Sequence, residues 1–151
     1  MARKEEAYIY AERIIEIYKR RGTLPLHDSH RIAYAFWRVG KFEEAKYYLN
    51  QQIKYGEESL RLNRDFKVEV KYCLAGAYAF SGDKEKAYKL LDEFSAQEYF
   101  TLWWVSMMRF DTPFENIRNE ERFQKIVRKM EAKYQAGHEL VGKWLEERRM
   151  L

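Results

Sequence analysis

The sequence predicts an all-α protein: a helical-hairpin solenoid of about seven helices. Two observations carry this. Apolar residues recur at the three- and four-residue spacing of helix faces along most of the chain. The second is a pattern that occurs twice. Ile32-Ala33-Tyr34-Ala35-Phe36-Trp37-Arg38-Val39-Gly40-Lys41-Phe42-Glu43-Glu44-Ala45 is answered by Leu74-Ala75-Gly76-Ala77-Tyr78-Ala79-Phe80-Ser81-Gly82-Asp83-Lys84-Glu85-Lys86-Ala87.

Each copy reads as one helix, a glycine turn and a second helix folded back. Ala33 and Ala75 are small enough to let helices cross closely, and Ala45 and Ala87 answer them from the second helix. Phe36 and Tyr78 fill the space beside the small residue, three positions along the same face. Gly40 and Gly82 suit the left-handed conformation just past a helix end. Two unrelated hairpins would also fit, but self-similarity at a fixed offset marks a repeat.

On Ala33, Phe36, Gly40, Phe42 and Ala45, and on Leu74, Ala75, Tyr78, Gly82 and Ala87, the chain resembles the tetratricopeptide repeat family. It departs from the family in three ways. Lys84 stands where an aromatic is usual, no proline closes either unit, and the offset from Ala33 to Ala75 is 42 residues against about 34. Helices longer by about a turn each absorb the excess without rotating their buried faces. The stretch Pro113 to Phe123 is similar to the terminal repeat of many bacterial proteins of this family. There such repeats often follow a signalling or DNA-binding domain, so the resemblance implies a module of a larger protein.

Taken in order, the chain reads as one domain over residues 1–151. A capping or partial-repeat helix occupies 1–22, with Tyr8, Ala11, Ile14, Ile15 and Tyr18 on one face and Lys19, Arg20 and Arg21 at the negative end of its dipole. Thr23-Leu24-Pro25 is a linker. Repeat one spans 26–58, with helices over 26–39 and 42–58, Tyr48, Leu49, Gln52, Ile53 and Leu60 along the second face, and Gly56 as a weak point. Asn63-Arg64-Asp65 is a turn. Repeat two spans 66–94, with helices over 66–80 and 83–94, and Gly76 inside the first implies close approach of a neighbour.

Terminal helices occupy 96–148. The stretch 96–109 is so apolar that it reads as buried all round. Pro113 ends it, Phe114, Ile117 and Phe123 tuck a loop onto the core, and Asn119 caps the last helix. That helix runs to 148 with Phe123, Ile126, Val127, Met130, Tyr134, Val141, Trp144 and Leu145 as its stripe, and Gly137 and Gly142 argue against its being unbroken.

Net charge is +4, from 28 basic and 24 acidic residues. Both signs are mixed along the whole chain, so no nucleic-acid footprint is evident. No apolar run is long enough to span a membrane. The first residues lack a signal-peptide core, and one cysteine forms no internal disulfide, so a cytoplasmic setting is expected.

No constellation for catalysis stands out, and an enzyme is not expected. His27 and His30 share a helix face with Asp28, Cys73 or Glu69 as further ligands by repeat geometry, but no strong zinc spacing occurs. Cys73 reads as a small core residue. Glu43-Glu44 and Glu146-Glu147 read as surface charge. Phosphate loops and a Gly-x-Ser-x-Gly motif are absent, and no cofactor is expected.

The resemblance instead implies a concave groove lined by the first helix of each unit. His27, His30, Arg31, Tyr34, Trp37 and Arg38 face it from unit one, and Glu69, Tyr72, Cys73, Gly76 and Phe80 from unit two. Two arginines among aromatic rings suit a protein or peptide bearing an acidic side chain or C-terminal carboxylate. The expected partner-binding set is His30, Arg31, Tyr34, Trp37, Arg38, Glu69, Tyr72 and Phe80. The competing view is that these aromatics pack against the chain's own final helices, folded into the groove. Two other functions stay open: a homodimer closed through the first helix and the Trp103–Met108 stretch, and a regulatory tail sensing a small ligand.

Overall fold

The computed structural model describes residues 2–23, 29–64 and 67–150. The expected linker at Leu24-Pro25, His27, Asp28, Asp65 and Phe66 lie outside the described residues. The elements are α1 (Ala2–Arg20), α2 (Ser29–Arg38), α3 (Phe42–Arg61), α4 (Lys67–Ser81), α5 (Lys84–Ser95), α6 (Leu102–Phe110), a single 3-10 turn (Thr112–Phe114) and α7 (Glu121–Glu147). Among the described residues there is no strand, and no helix is long and apolar enough to cross a membrane.

The helix ends explain the topology. At Gly40 and Gly82 the backbone turns left-handed, at φ 82° and 89°. The Lys41 amide then donates back to the Phe36 carbonyl at 3.0 Å, and Asp83 to Tyr78 at 2.9 Å, six residues closing on one. This satisfies carbonyls the helix leaves open and reverses the chain in a few residues. Asn63, at φ 53°, ends α3 the same way, with Arg64 donating to Ser59 at 3.1 Å. Asp83 also caps α5, its carboxylate accepting from the Lys86 amide at 3.2 Å.

Successive helices pack on one another from α1 to α5, and α7 then covers α5 and α6. Ala33, Ala75 and Ala87 are fully buried and Ala45 nearly so. Phe36 meets Tyr8 and Tyr48 edge-on or tilted, at 5.2 and 5.5 Å between ring centres. One apolar cluster joins α1, α2 and α3, and a larger one joins α4, α5, α6 and α7 around Leu91, Phe94, Met108 and Met130. Cys73 is buried in the second.

Several expectations need correction. Gly56 is a contact and not a weak point: a Cβ there would lie 2.9 Å from Leu74 Cδ1. The helix expected over 96–109 starts only at Leu102; α5 runs to Ser95, and Lys133 Nζ donates to the Ser95 and Gln97 carbonyls in the stretch between. Nor is α6 buried all round. Val105 and Met108 face inward while Leu102, Trp103 and Phe110 are exposed.

The N-cap of α7 is Glu120, not Asn119, and its carboxylate accepts from Lys84 and from Tyr88 instead of capping. Despite Gly137 and Gly142, α7 is one unbroken helix. Its stripe is buried only through Met130, and Val141 and Trp144 are exposed.

Candidate partner-binding site

Helix α2 sets Arg31, Tyr34 and Arg38 on successive turns of one face, and α4 sets Tyr72, Gly76 and Phe80 at four-residue intervals on another. Both faces meet the 3-10 turn that follows α6. Gly76 makes room for it: a Cβ at that position would lie 3.2 Å from Pro113 Cβ. The close approach expected at Gly76 comes first from this turn, and also from the neighbouring helix α2, whose His30 ring lies 3.7 Å from the same position.

The turn brings two carboxylates. Asp111 is buried and accepts from Arg31 Nη2 at 2.6 Å, from Arg31 Nε at 3.4 Å and from the Tyr72 hydroxyl at 2.8 Å. Burial, and next the Asp111 charge, push the Tyr72 phenol far above its ordinary range. Arg118 Nη2 donates to the Asp111 carbonyl and holds the turn from behind. Glu115 accepts from the Tyr34 hydroxyl at 2.7 Å, and Arg38 Nη1 lies 3.6 Å from it. Arg38 Nη1 also donates to the Tyr34 hydroxyl at 2.8 Å. Burial raises the Tyr34 phenol, with the Glu115 hydrogen bond adding to it. Asn116 donates to the Ala79 and Phe80 carbonyls at 3.5 Å, tying the turn to the end of α4.

An acidic segment thus lies across the expected groove, and it belongs to the same chain. This revises three of the eight expected residues. His30 is fully buried, with Nδ1 3.4 Å from Gln52 Oε1. Tyr72 is buried under the turn, and Arg31 is engaged by Asp111. Phe114, itself fully buried, packs on Tyr72, whereas the Arg31 side chain keeps 33% of its surface exposed. Glu69 is exposed on the first turn of α4 and does not line the site.

The other four come together. Tyr34, Trp37, Arg38 and Phe80, with Thr112, Glu115 and Asn116, line a pocket of about 390 Å³. Trp37 meets Phe80 edge to face at 5.8 Å and Tyr34 at 6.3 Å, and Tyr34 meets Phe80 at 5.8 Å. The Arg38 guanidinium lies over the Tyr34 ring at 5.5 Å. Trp37 is 46% exposed, so it is not a core residue.

A second, more apolar trough of about 370 Å³ runs between α1 and α2, and its wall shares Tyr34 and Thr112 with the first. Tyr10 and Ile14 of α1 line it. Sequence reasoning placed Ile14 on the inward stripe of α1. The available signal was the second apolar stripe at Tyr10, Ile14 and Ile17, offset from the one through Ala11 and Ile15.

Among the described residues no group of three or more His, Cys, Asp or Glu side chains is placed to hold a metal. Compared with protein-family models, with curated proteins and with solved structures, the chain matches none of them.

Proposed function

We propose that the chain is a helical-repeat scaffold of the tetratricopeptide kind, acting in the cytoplasm, that binds a protein or peptide through the Tyr34–Trp37–Phe80 pocket. The observation that carries this reading is Trp37. It is half-exposed on two supporting rings, beside an arginine, in a concave site. Indole and guanidinium groups in such settings dominate binding energy, because they offer large contact area and directional donors.

The partner segment carries an aliphatic or aromatic anchor for Trp37 and a carboxylate, from Asp, Glu or a free C-terminus, for Arg38. Glu115 already stands 3.6 Å from Arg38, so the carboxylate competes with it, and the anchor supplies most of the affinity. The adjoining α1–α2 trough extends the contact for a longer segment.

The test is selection from a displayed random-peptide library, followed by calorimetry on the winners. Trp37→Ala should weaken them by about 2 kcal/mol or more. Winners that bind Trp37→Ala and Arg38→Ala as tightly as the natural chain would remove the reading.

Self-association is a second reading, supported by Leu102 and Trp103 in the first turn of α6 and Tyr99 just before it, all more than half exposed. Light scattering over a concentration series separates the two.

A further inference from the structure

A separate depression of about 470 Å³ lies where α6 ends and α7 begins, and it shares no lining residue with the aromatic pocket. Arg109, Arg118 and Arg128 line it, against one carboxylate, Glu131. That carboxylate is taken by Arg109, whose Nε donates to Glu131 Oε1. Arg118 uses Nη2 on a neutral acceptor, the Asp111 carbonyl, and its buried Nε has no acceptor. Among the described residues neither Arg118 nor Arg128 has an ion-pair partner. Two guanidinium charges are therefore left uncompensated in one concavity.

Like charges gathered in a cleft focus its potential on an anion, and the planar guanidinium fork matches phosphate oxygens. The backbone beneath is held in place, since Gln124 Nε2 donates to the Arg118 carbonyl at 2.7 Å. Phe110 forms one wall, and at 72% it is more exposed than any other large apolar side chain among the described residues. A ring face standing free beside arginines is placed to stack on a planar ring, as aromatic side chains do with bases. The volume falls in the range of small-molecule sites.

We propose that this depression binds a small phosphorylated ligand of the nucleotide class, with the phosphate held by Arg118 and Arg128 and the base laid on Phe110. Calorimetry on the full chain, with the four common ribonucleoside monophosphates, adenosine and inorganic phosphate as probes, tests it. At least one monophosphate should bind with a Kd of about 1 mM or tighter, and adenosine and phosphate alone about tenfold more weakly or worse.

Arg128→Ala and Phe110→Ser change exposed side chains, so the fold survives, and each should weaken binding about tenfold. Trp37→Ala should leave it unchanged. Three outcomes overturn the proposal: no monophosphate binding below about 5 mM, binding indifferent to Arg128→Ala, or inorganic phosphate binding as tightly as the nucleotide with Phe110→Ser silent.

Discussion

Arg31 and Asp111 stand eighty residues apart in the chain and meet through two hydrogen bonds, at 2.6 and 3.4 Å. The pair joins α2 to the turn before α7, and Tyr72 brings α4 into the same contact. It is one of the polar ties between the α2–α3 and α4–α5 hairpins and the segment that follows α6. Removing one partner of a buried polar cluster costs more than the cluster's net worth, because the remaining groups are left unpaired. Asp111→Ala should therefore destabilise the chain by about 2–4 kcal/mol in urea unfolding, and Asp111→Asn by less, since an amide still accepts from Tyr72. An Asp111→Ala variant as stable as the natural chain would show the tie to be idle.

The helix crossings make a second set. Ala33→Leu and Ala75→Leu should each cost about 1–3 kcal/mol by overpacking fully buried sites. Gly56→Ala should also destabilise, against its gain in helix propensity, because the new methyl meets buried Leu74. Gly142→Ala meets nothing within 4 Å and should be neutral or stabilising. Thermal melts of the four variants check the ordering.

Alkaline pH should act through the buried phenols. Burial, followed by a carboxylate neighbour, raises Tyr72, Tyr78 and Tyr88 above the ordinary tyrosine range. A raised phenol favours the protonated folded state. Its contribution is fully present below about pH 10, where unfolded tyrosines stay protonated, and is lost as pH rises through the folded-state values. Phenolate absorbance at 295 nm should therefore rise in two stages, exposed tyrosines first and these three only with unfolding. A single stage, completed while circular dichroism is still native, would contradict the burial of Tyr72.

Truncation separates the two halves of α7. Phe123, Ile126, Val127 and Met130 are buried in the larger core, so deletion from residue 119 should cause aggregation. Deletion from residue 139 removes exposed Leu140, Val141 and Trp144 and should leave a soluble, helical protein. Light scattering and circular dichroism on the two truncations decide it.

The two helical hairpins could be read in the sequence because Gly40, Gly82 and the paired alanines act locally, through turn geometry and contact between neighbouring helices. The extent of α6 could not, since the stretch between α5 and α6 is apolar like a helix yet is held by a distant contact, Lys133 donating to the Ser95 carbonyl. The burial of Phe114 and Ile117 was legible from their apolar character. That their segment would cross α2 and α4 was not, because Asp111 and Glu115 look like ordinary surface acids until the fold sets them against Arg31 and Tyr34. Half of the expected binding set was therefore brought together in the pocket, and Arg31 and Tyr72 went to an internal contact that periodicity alone does not reveal.

The most direct test of the proposed function follows the Trp37 side chain itself. In an amide and indole nitrogen–proton correlation spectrum, the Trp37 indole signal is assigned by its loss in Trp37→Phe, and a library-selected peptide is titrated in. The account predicts that this signal shifts in step with the amides of Arg38 and Phe80, and that Arg38→Ala weakens the titration about tenfold while the circular dichroism spectrum stays native. A saturating peptide that leaves the Trp37 indole and its neighbours unmoved would contradict it.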